Sequence, residues 1–261
     1  MLKLNDIYCT NCLSGMDKLD ENSIDFMFTS PPYNVGIDYD VHNDKMSKED
    51  YYSFINLWFK KLYRVMKDDG RIAINIPYEI NMKDRGGRNF ILADFYNYMI
   101  NNGFKYNCVV HLKENAPHRV KYTAFGSWLS PSAPYIYNPN ECVLIGYKNI
   151  WKKEIKGETY FTKDVLHKKE FIKLISGVWD YRAETKGLTK ANFNIELPKN
   201  AIKILTYRNE IVLDPFAGAG TTLCAAKILE RQFIGFEISP KYCEIIKGRL
   251  SQTTLVPSTF I

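Results

Sequence analysis

No apolar run in these 261 residues approaches the roughly 20 needed to cross a bilayer, and no basic N-terminal segment leads into an apolar stretch. The expectation is a cytoplasmic chain with no membrane partner. Cysteine is sparse, with six residues and no arrangement suited to a metal. Cys9 and Cys12 form a lone CxxC without a second pair or a neighbouring His pair, so zinc is not expected. Cys108 and Cys142 sit in strand-like apolar runs, and Cys224 and Cys243 in helix-like ones, where a free thiol packs as a small hydrophobe. Internal repeats and low-complexity tracts are absent too, as in an ordinary globular chain. Charge of one sign does not dominate: 35 Lys plus Arg against 29 Asp plus Glu leave +6, which permits a polyanionic partner without demanding one.

The composition is that of a globular chain long enough to bury a large core: 46% hydrophobic and 25% charged. Aromatics reach 14%, with 18 Tyr, enough to pack a core and still leave faces for stacking. Lysines bunch at Lys152, Lys153 and Lys156, then at Lys163, Lys168, Lys169 and Lys173; taken singly, each reads as a solvated side chain.

Periodicity predicts alternating strands and helices. Tyr51, Phe54, Ile55, Trp58, Leu62 and Val65 recur at helical spacing, with Asp68-Asp69-Gly70 as the stop and Arg71–Ile76 as the next strand. Asn89–Asn101 reads as a helix, 108–112 and 142–147 as strands, Lys199–Thr206 as a short helix, Phe233–Glu237 as a strand and Pro240–Leu250 as a helix. Such alternation implies a mostly parallel sheet covered on both faces, with ligands at the C-terminal ends of its strands. Two stretches, about 113–140 and 149–195, read as irregular insertions. The first carries Tyr122, Phe125, Trp128 and Tyr135, too aromatic for a disordered tract.

Two motifs end strands. Ile24-Asp25-Phe26-Met27-Phe28 runs into Thr29-Ser30-Pro31-Pro32-Tyr33, a stiff polar corner. Ile211-Val212-Leu213 runs into Asp214-Pro215-Phe216-Ala217-Gly218-Ala219-Gly220-Thr221-Thr222, then a helix opening at Leu223. A dinucleotide fingerprint would want a third glycine where Leu223 stands, and a phosphate loop would want a Lys after Gly220. Alone, either motif is a stiff loop or a glycine turn. Together they resemble the catalytic and cofactor motifs of S-adenosylmethionine-dependent DNA amino-methyltransferases, in the permuted order, catalytic motif first, of the β class.

That resemblance implies one Rossmann-like methyltransferase domain over 1–261, with a catalytic half at about 1–112 and a cofactor half at about 196–250. It implies S-adenosylmethionine as cofactor and double-stranded DNA as partner, with a homodimer possible. Asp214, Phe216, Gly218, Gly220, Thr221 and Thr222 would line the methionine end, with Thr29 beside them. Glu237 would hold the ribose, and Ile238 would flank the adenine unless it packs in the core. Asn11 stands where the family commonly has Asp near the adenine, and Asn140-Glu141 where it often has His-Glu.

The target nitrogen donates its lone pair to the ring, so it is a poor nucleophile. The Ser30 hydroxyl and Pro31 carbonyl can accept its two protons, with Pro32 fixing the corner and Tyr33 stacking on the base. A base paired in a duplex must leave the stack to react. Lys113, His118, Arg119, Lys121 and Trp128 are candidate DNA contacts. A Ser opening the motif is more typical of cytosine N4 methylation in the family, and an Asp of adenine N6; both remain open. Attack at cytosine carbon 5 needs a thiolate, commonly in a Pro-Cys pair, and the chain has none. An RNA or protein-glutamine methyltransferase usually carries the glycine motif first. A non-catalytic nucleic-acid-binding module would not need both motifs.

Overall fold

The computed structural model describes residues 2–34, 46–82, 87–114, 132, 138, 140–154, 166–181 and 193–252. Its strands are β1 (Asp6–Cys9), β2 (Ile24–Thr29), β3 (Met66–Pro77), β4 (Ile80–Met82), β5 (Gly87–Asn89), β6 (Lys105–Glu114), β7 (Glu141–Tyr147), β8 (Val178–Tyr181), β9 (Ile211–Asp214) and β10 (Gln232–Glu237). The helices are α1 (Cys12–Met16), α2 (Lys48–Val65), α3 (Ile91–Asn101), α4 (Lys168–Leu174), α5 (Glu196–Leu205), α6 (Thr221–Ile228) and α7 (Pro240–Ser251).

Eight strands form one sheet in the order β1-β10-β9-β2-β3-β7-β6-β8, while β4 and β5 pair separately. Every neighbouring pair in the large sheet is parallel except those made by β7, which runs antiparallel to β3 and β6. The mostly parallel α/β sheet expected from the sequence is therefore present. Strand β2 is buried at all six positions, as a central strand covered on both faces must be. Alternation sorts the side chains: Ile72, Ile74 and Ile76 join one core with α1, α2 and α3, whereas Ala73 joins another with α5 and α6.

Helix α2 opens on Ser47, whose hydroxyl accepts the Asp50 amide, and buries Tyr51, Ile55, Trp58, Phe59, Leu62 and Val65. It stops earlier than Asp68-Asp69-Gly70 suggests, because Met66 is already extended and pairs with Ile24 of β2. Helix α3 begins at Ile91, not Asn89, which belongs to β5. Helix α5 begins at Glu196, with Pro198 tolerated in the first turn, where no intrahelical amide bond is lost. The stretch expected to be irregular over 149–195 contains α4 and β8. Lys153 is a further correction. It is buried, with its ammonium on both carboxylate oxygens of Glu210 at 3.0 Å, so it is no solvated lysine. Among the described residues no helix is long and apolar enough to cross a membrane.

Candidate active site

The central strands β9 and β2 pair through Phe26↔Val212 and Met27↔Leu213, so both motifs leave the sheet at one edge, side by side. A direct bond joins them: the Thr29 hydroxyl donates to Asp214 Oδ1 at 2.7 Å, and both residues are buried. Positions 185 residues apart in the chain thus meet at the switch between the two halves of the sheet.

The corner after β2 is held from three sides. Tyr33 donates its phenol proton to the Asn75 carbonyl of β3 at 2.7 Å, and the Ser30 hydroxyl lies 2.5 Å from the same phenol oxygen. Tyr51 of α2 donates to the Pro32 carbonyl at 2.9 Å. Asn34, in the left-handed region at φ 58°, exchanges two bonds with the Met46 backbone. No described donor reaches the Pro31 carbonyl, which leaves it available as an acceptor.

The second motif turns on Gly218 (φ +53°) and Gly220 (φ +76°), conformations that disfavour any side chain. Asp214 accepts the Phe216 amide at 3.1 Å as well as Thr29. Burial pushes its carboxyl up to about 6; the hydroxyls of Thr222 and Thr29 and the Phe216 amide oppose the shift, and the nearby Glu237 charge adds to it. Phe216 packs edge-on against Trp58 and Phe54 of α2, with ring centres 5.3 and 6.1 Å apart. Glu237, ending β10, accepts the Gly218 amide and the Ser239 amide, each at 2.8 Å. Burial raises its carboxyl as well, against the amide bonds from Ser239, Gly218 and Ile238. Arg249 of α7 donates to the Ala219 carbonyl and, at 3.4 Å, to the Thr221 hydroxyl.

This turn fits a nucleoside cofactor carrying a methionine tail. A Cβ built on Gly218 would meet nothing nearer than the Phe216 carbonyl oxygen at 4.0 Å, so open space faces the backbone there. An acid with its oxygens on backbone amides stands at the end of the adjoining strand, where ribose hydroxyls are bound in such sheets.

Of the remaining expected residues, Asn11 follows β1 and caps α1, its side chain accepting the Leu13 amide at 2.8 Å. The neighbouring Thr10 amide bonds the Glu237 carbonyl, which places Asn11 at the same edge. Ile238 is 41% exposed, which removes the core reading. Lys113 is exposed near the end of β6, at the edge that carries both motifs. His118, Arg119, Lys121 and Trp128 lie outside the described residues.

The sequence reading missed Asn75, whose amide donates to Glu141 Oε2 at 2.8 Å, and Tyr78, whose hydroxyl bonds the His111 imidazole with the rings stacked. It also missed a cleft of about 410 Å³ lined by Trp179, Asp180, Tyr181, Asn194, Glu196, Leu197 and Asn200. The cleft lies between the C-terminal end of β8 and the start of α5. Phe193, just before it, packs edge-on against Phe28 of β2 at 5.6 Å.

The sheet order, the permuted turns and the open glycine cradle define an α/β methyltransferase. The chain belongs to the N6/N4 DNA methylase family, whose model matches residues 24–248. It is similar to the type II methyltransferase M.MjaVI of Methanocaldococcus jannaschii, 40% identical over 169 residues, 64% of this chain and 81% of that one. M2.MboI of Moraxella bovis is 27% identical over 274 residues, covering 96% of this chain and 89% of its own. Among solved structures, TTHA0409 of Thermus thermophilus in complex with S-adenosyl-L-methionine superposes with a TM-score of 0.75. The identity is 21%, over 94% of this chain and 93% of that one. PvuII DNA methyltransferase, described as cytosine-N4-specific, gives 0.69 at 19% identity, over 96% and 88%. These two establish the shared fold. The protein is a DNA amino-methyltransferase dependent on S-adenosylmethionine.

Proposed function

We propose that this enzyme methylates cytosine at N4 in duplex DNA, with the target base turned out of the stack. The carrying observation is Ser30 at the head of the corner, partly buried, one residue from the Thr29–Asp214 link to the cofactor turn. In this reading the Ser30 hydroxyl and the Pro31 carbonyl accept the two amino protons and draw the nitrogen lone pair away from the ring. The Tyr33 ring stacks on the base, and Pro32 keeps the corner rigid through its fixed φ.

When bound, the cofactor supplies an electrophilic methyl group on a sulfonium. Phe216, Gly218 and Thr221 would face its methionine end, with the buried Asp214, Gly220 and Thr222 shaping the turn behind them, while Glu237 would hold its ribose and Asn11 and Ile238 its adenine. The amino nitrogen would bond to the methyl carbon as the carbon–sulfur bond breaks, leaving the cofactor as a neutral thioether. The methylated nitrogen would then lose one proton to solvent, with Ser30 and Pro31 acting only as hydrogen-bond acceptors. Much of the acceleration would come from alignment, which the Thr29–Asp214 bond favours by tying the corner to the glycine turn. Lys113, with His118, Arg119, Lys121 and Trp128, serves the DNA backbone and the space left by the base. A single domain carries all of this.

Adenine N6 is the second reading, because its amino group offers the same two donors to Ser30 and Pro31. The deciding experiment incubates the protein with methyl-labelled S-adenosylmethionine and mixed-sequence unmethylated duplex DNA, then identifies the labelled nucleoside by mass. N4-methylcytosine is expected. N6-methyladenine would preserve the chemistry and overturn the base assignment, and absence of label in DNA would overturn the substrate.

A further inference from the structure

The hydroxyl of Tyr33 is more than the end of a stacking ring. A phenol has one proton, and the Asn75 carbonyl, which can only accept, takes it at 2.7 Å. The Ser30 Oγ, 2.5 Å from the phenol oxygen, must then donate its own proton to Tyr33. Both protons of the pair are committed in one direction, from Ser30 to Tyr33 to the β3 backbone. The anchor is firm: Asn75 is buried within β3, and its side-chain amide is tied to Glu141 at the start of β7.

An unattached serine hydroxyl rotates and can offer either a proton or a lone pair. Here only lone pairs remain to face a ligand. We propose that Tyr33 is a positioning residue for Ser30, fixing its hydroxyl as an acceptor and thereby selecting a base that presents an amino group over one that presents a carbonyl. The inference rests on the reading that Ser30 takes an amino proton. It assigns the phenol oxygen a task that a phenylalanine ring could not perform.

Tyr33→Phe keeps the ring and removes only that oxygen. With enzyme in excess over mixed-sequence unmethylated duplex DNA, its single-turnover rate of labelled methyl transfer falls about ten-fold, the scale of one oriented hydrogen bond. Affinity for S-adenosylmethionine stays at the wild-type value, and the thermal midpoint falls by only a few degrees, about what one lost hydrogen bond to the Asn75 carbonyl costs. In the Ser30→Ala background the same change costs less than about two-fold, since the lost group acts through the missing hydroxyl. Wild-type rate in Tyr33→Phe overturns the inference, as does a full ten-fold loss in both backgrounds. If Ser30→Ala transfers no measurable label, the pair is repeated on Ser30→Thr, where the ten-fold loss must return; no loss there also overturns it. Should wild-type protein itself leave DNA amino groups unlabelled, the functional reading fails. Should wild type label DNA while Tyr33→Phe matches it, only the role of the phenol fails.

Discussion

Asp214 carries an unusual burden for one carboxylate. It is almost fully buried, yet it accepts the Thr29 hydroxyl and the Phe216 amide on one oxygen and so joins the two motifs. Desolvation makes its charge costly, which is why its carboxyl rises from the ordinary 3.8 to about 6. A raised carboxyl binds its proton more tightly in the folded protein than in the unfolded chain. Its contribution to stability is therefore complete below about pH 4 and is lost as pH climbs through about 6. The loss amounts to about 3 kcal/mol at the upper end. Asp214→Asn keeps an acceptor for both donors but cannot ionise. Its unfolding free energy should gain on the wild type by about that amount between pH 4 and pH 6, and stay parallel above pH 7. Denaturant midpoints across that range measure it; a constant difference would mean that the carboxyl is not raised.

At the scale of elements, the turn from β9 into α6 shows how two neighbouring glycines serve different ends. At Gly220 an added Cβ would stand 2.9 Å from the Ile246 side chain of α7, and the backbone is left-handed at +76°. Gly220→Ala should cost about 2 to 4 kcal/mol from strain and overpacking combined. Gly218 is left-handed too, but its Cβ would face open space. Gly218→Ala should cost only about 1 kcal/mol of folding stability and yet weaken S-adenosylmethionine binding well beyond that. Thermal unfolding beside calorimetric titration separates the two, and equal behaviour of the variants would deny Gly218 a place against the cofactor. This turn was legible in the sequence because strand, glycines and helix are contiguous. So was α2, whose apolar face repeats through 18 residues. By contrast, α4 and β8, at seven and four residues, are too short to show a period, and their stretch reads as irregular. The residues that orient the corner were hidden for another reason. Asn75 lies 42 residues from Tyr33, and Glu141 lies 66 beyond Asn75, so only sheet register brings them together.

Across the whole molecule, the early and late parts of the chain are sewn together at both edges of the sheet. The Thr29–Asp214 bond does this at the edge bearing the site. At the opposite edge, Asp25 near the start of β2 accepts the Ile211 amide at 2.9 Å and the Lys67 ammonium at 2.6 Å. Beside it, the Lys153 ammonium is buried against Glu210, which also accepts the Tyr207 amide at 3.0 Å. The two seams stand about 13 Å apart along β2, four residues of extended chain. That distance separates what holds the fold from what performs the chemistry. Lys153→Met would strand the Glu210 charge in a buried setting, and should cost about 3 to 5 kcal/mol. Lys153→Met with Glu210→Gln removes that charge while keeping an acceptor for Tyr207, and should recover most of the loss. Neither change touches the glycine turn or the corner. At a temperature where the single variant is still folded, its affinity for S-adenosylmethionine should therefore equal the wild type's. Denaturant unfolding and cofactor titration of the same two variants test both halves. A drop in affinity without unfolding would show that strain at the far seam reaches the site through β2 and β9, and that the two edges are not independent.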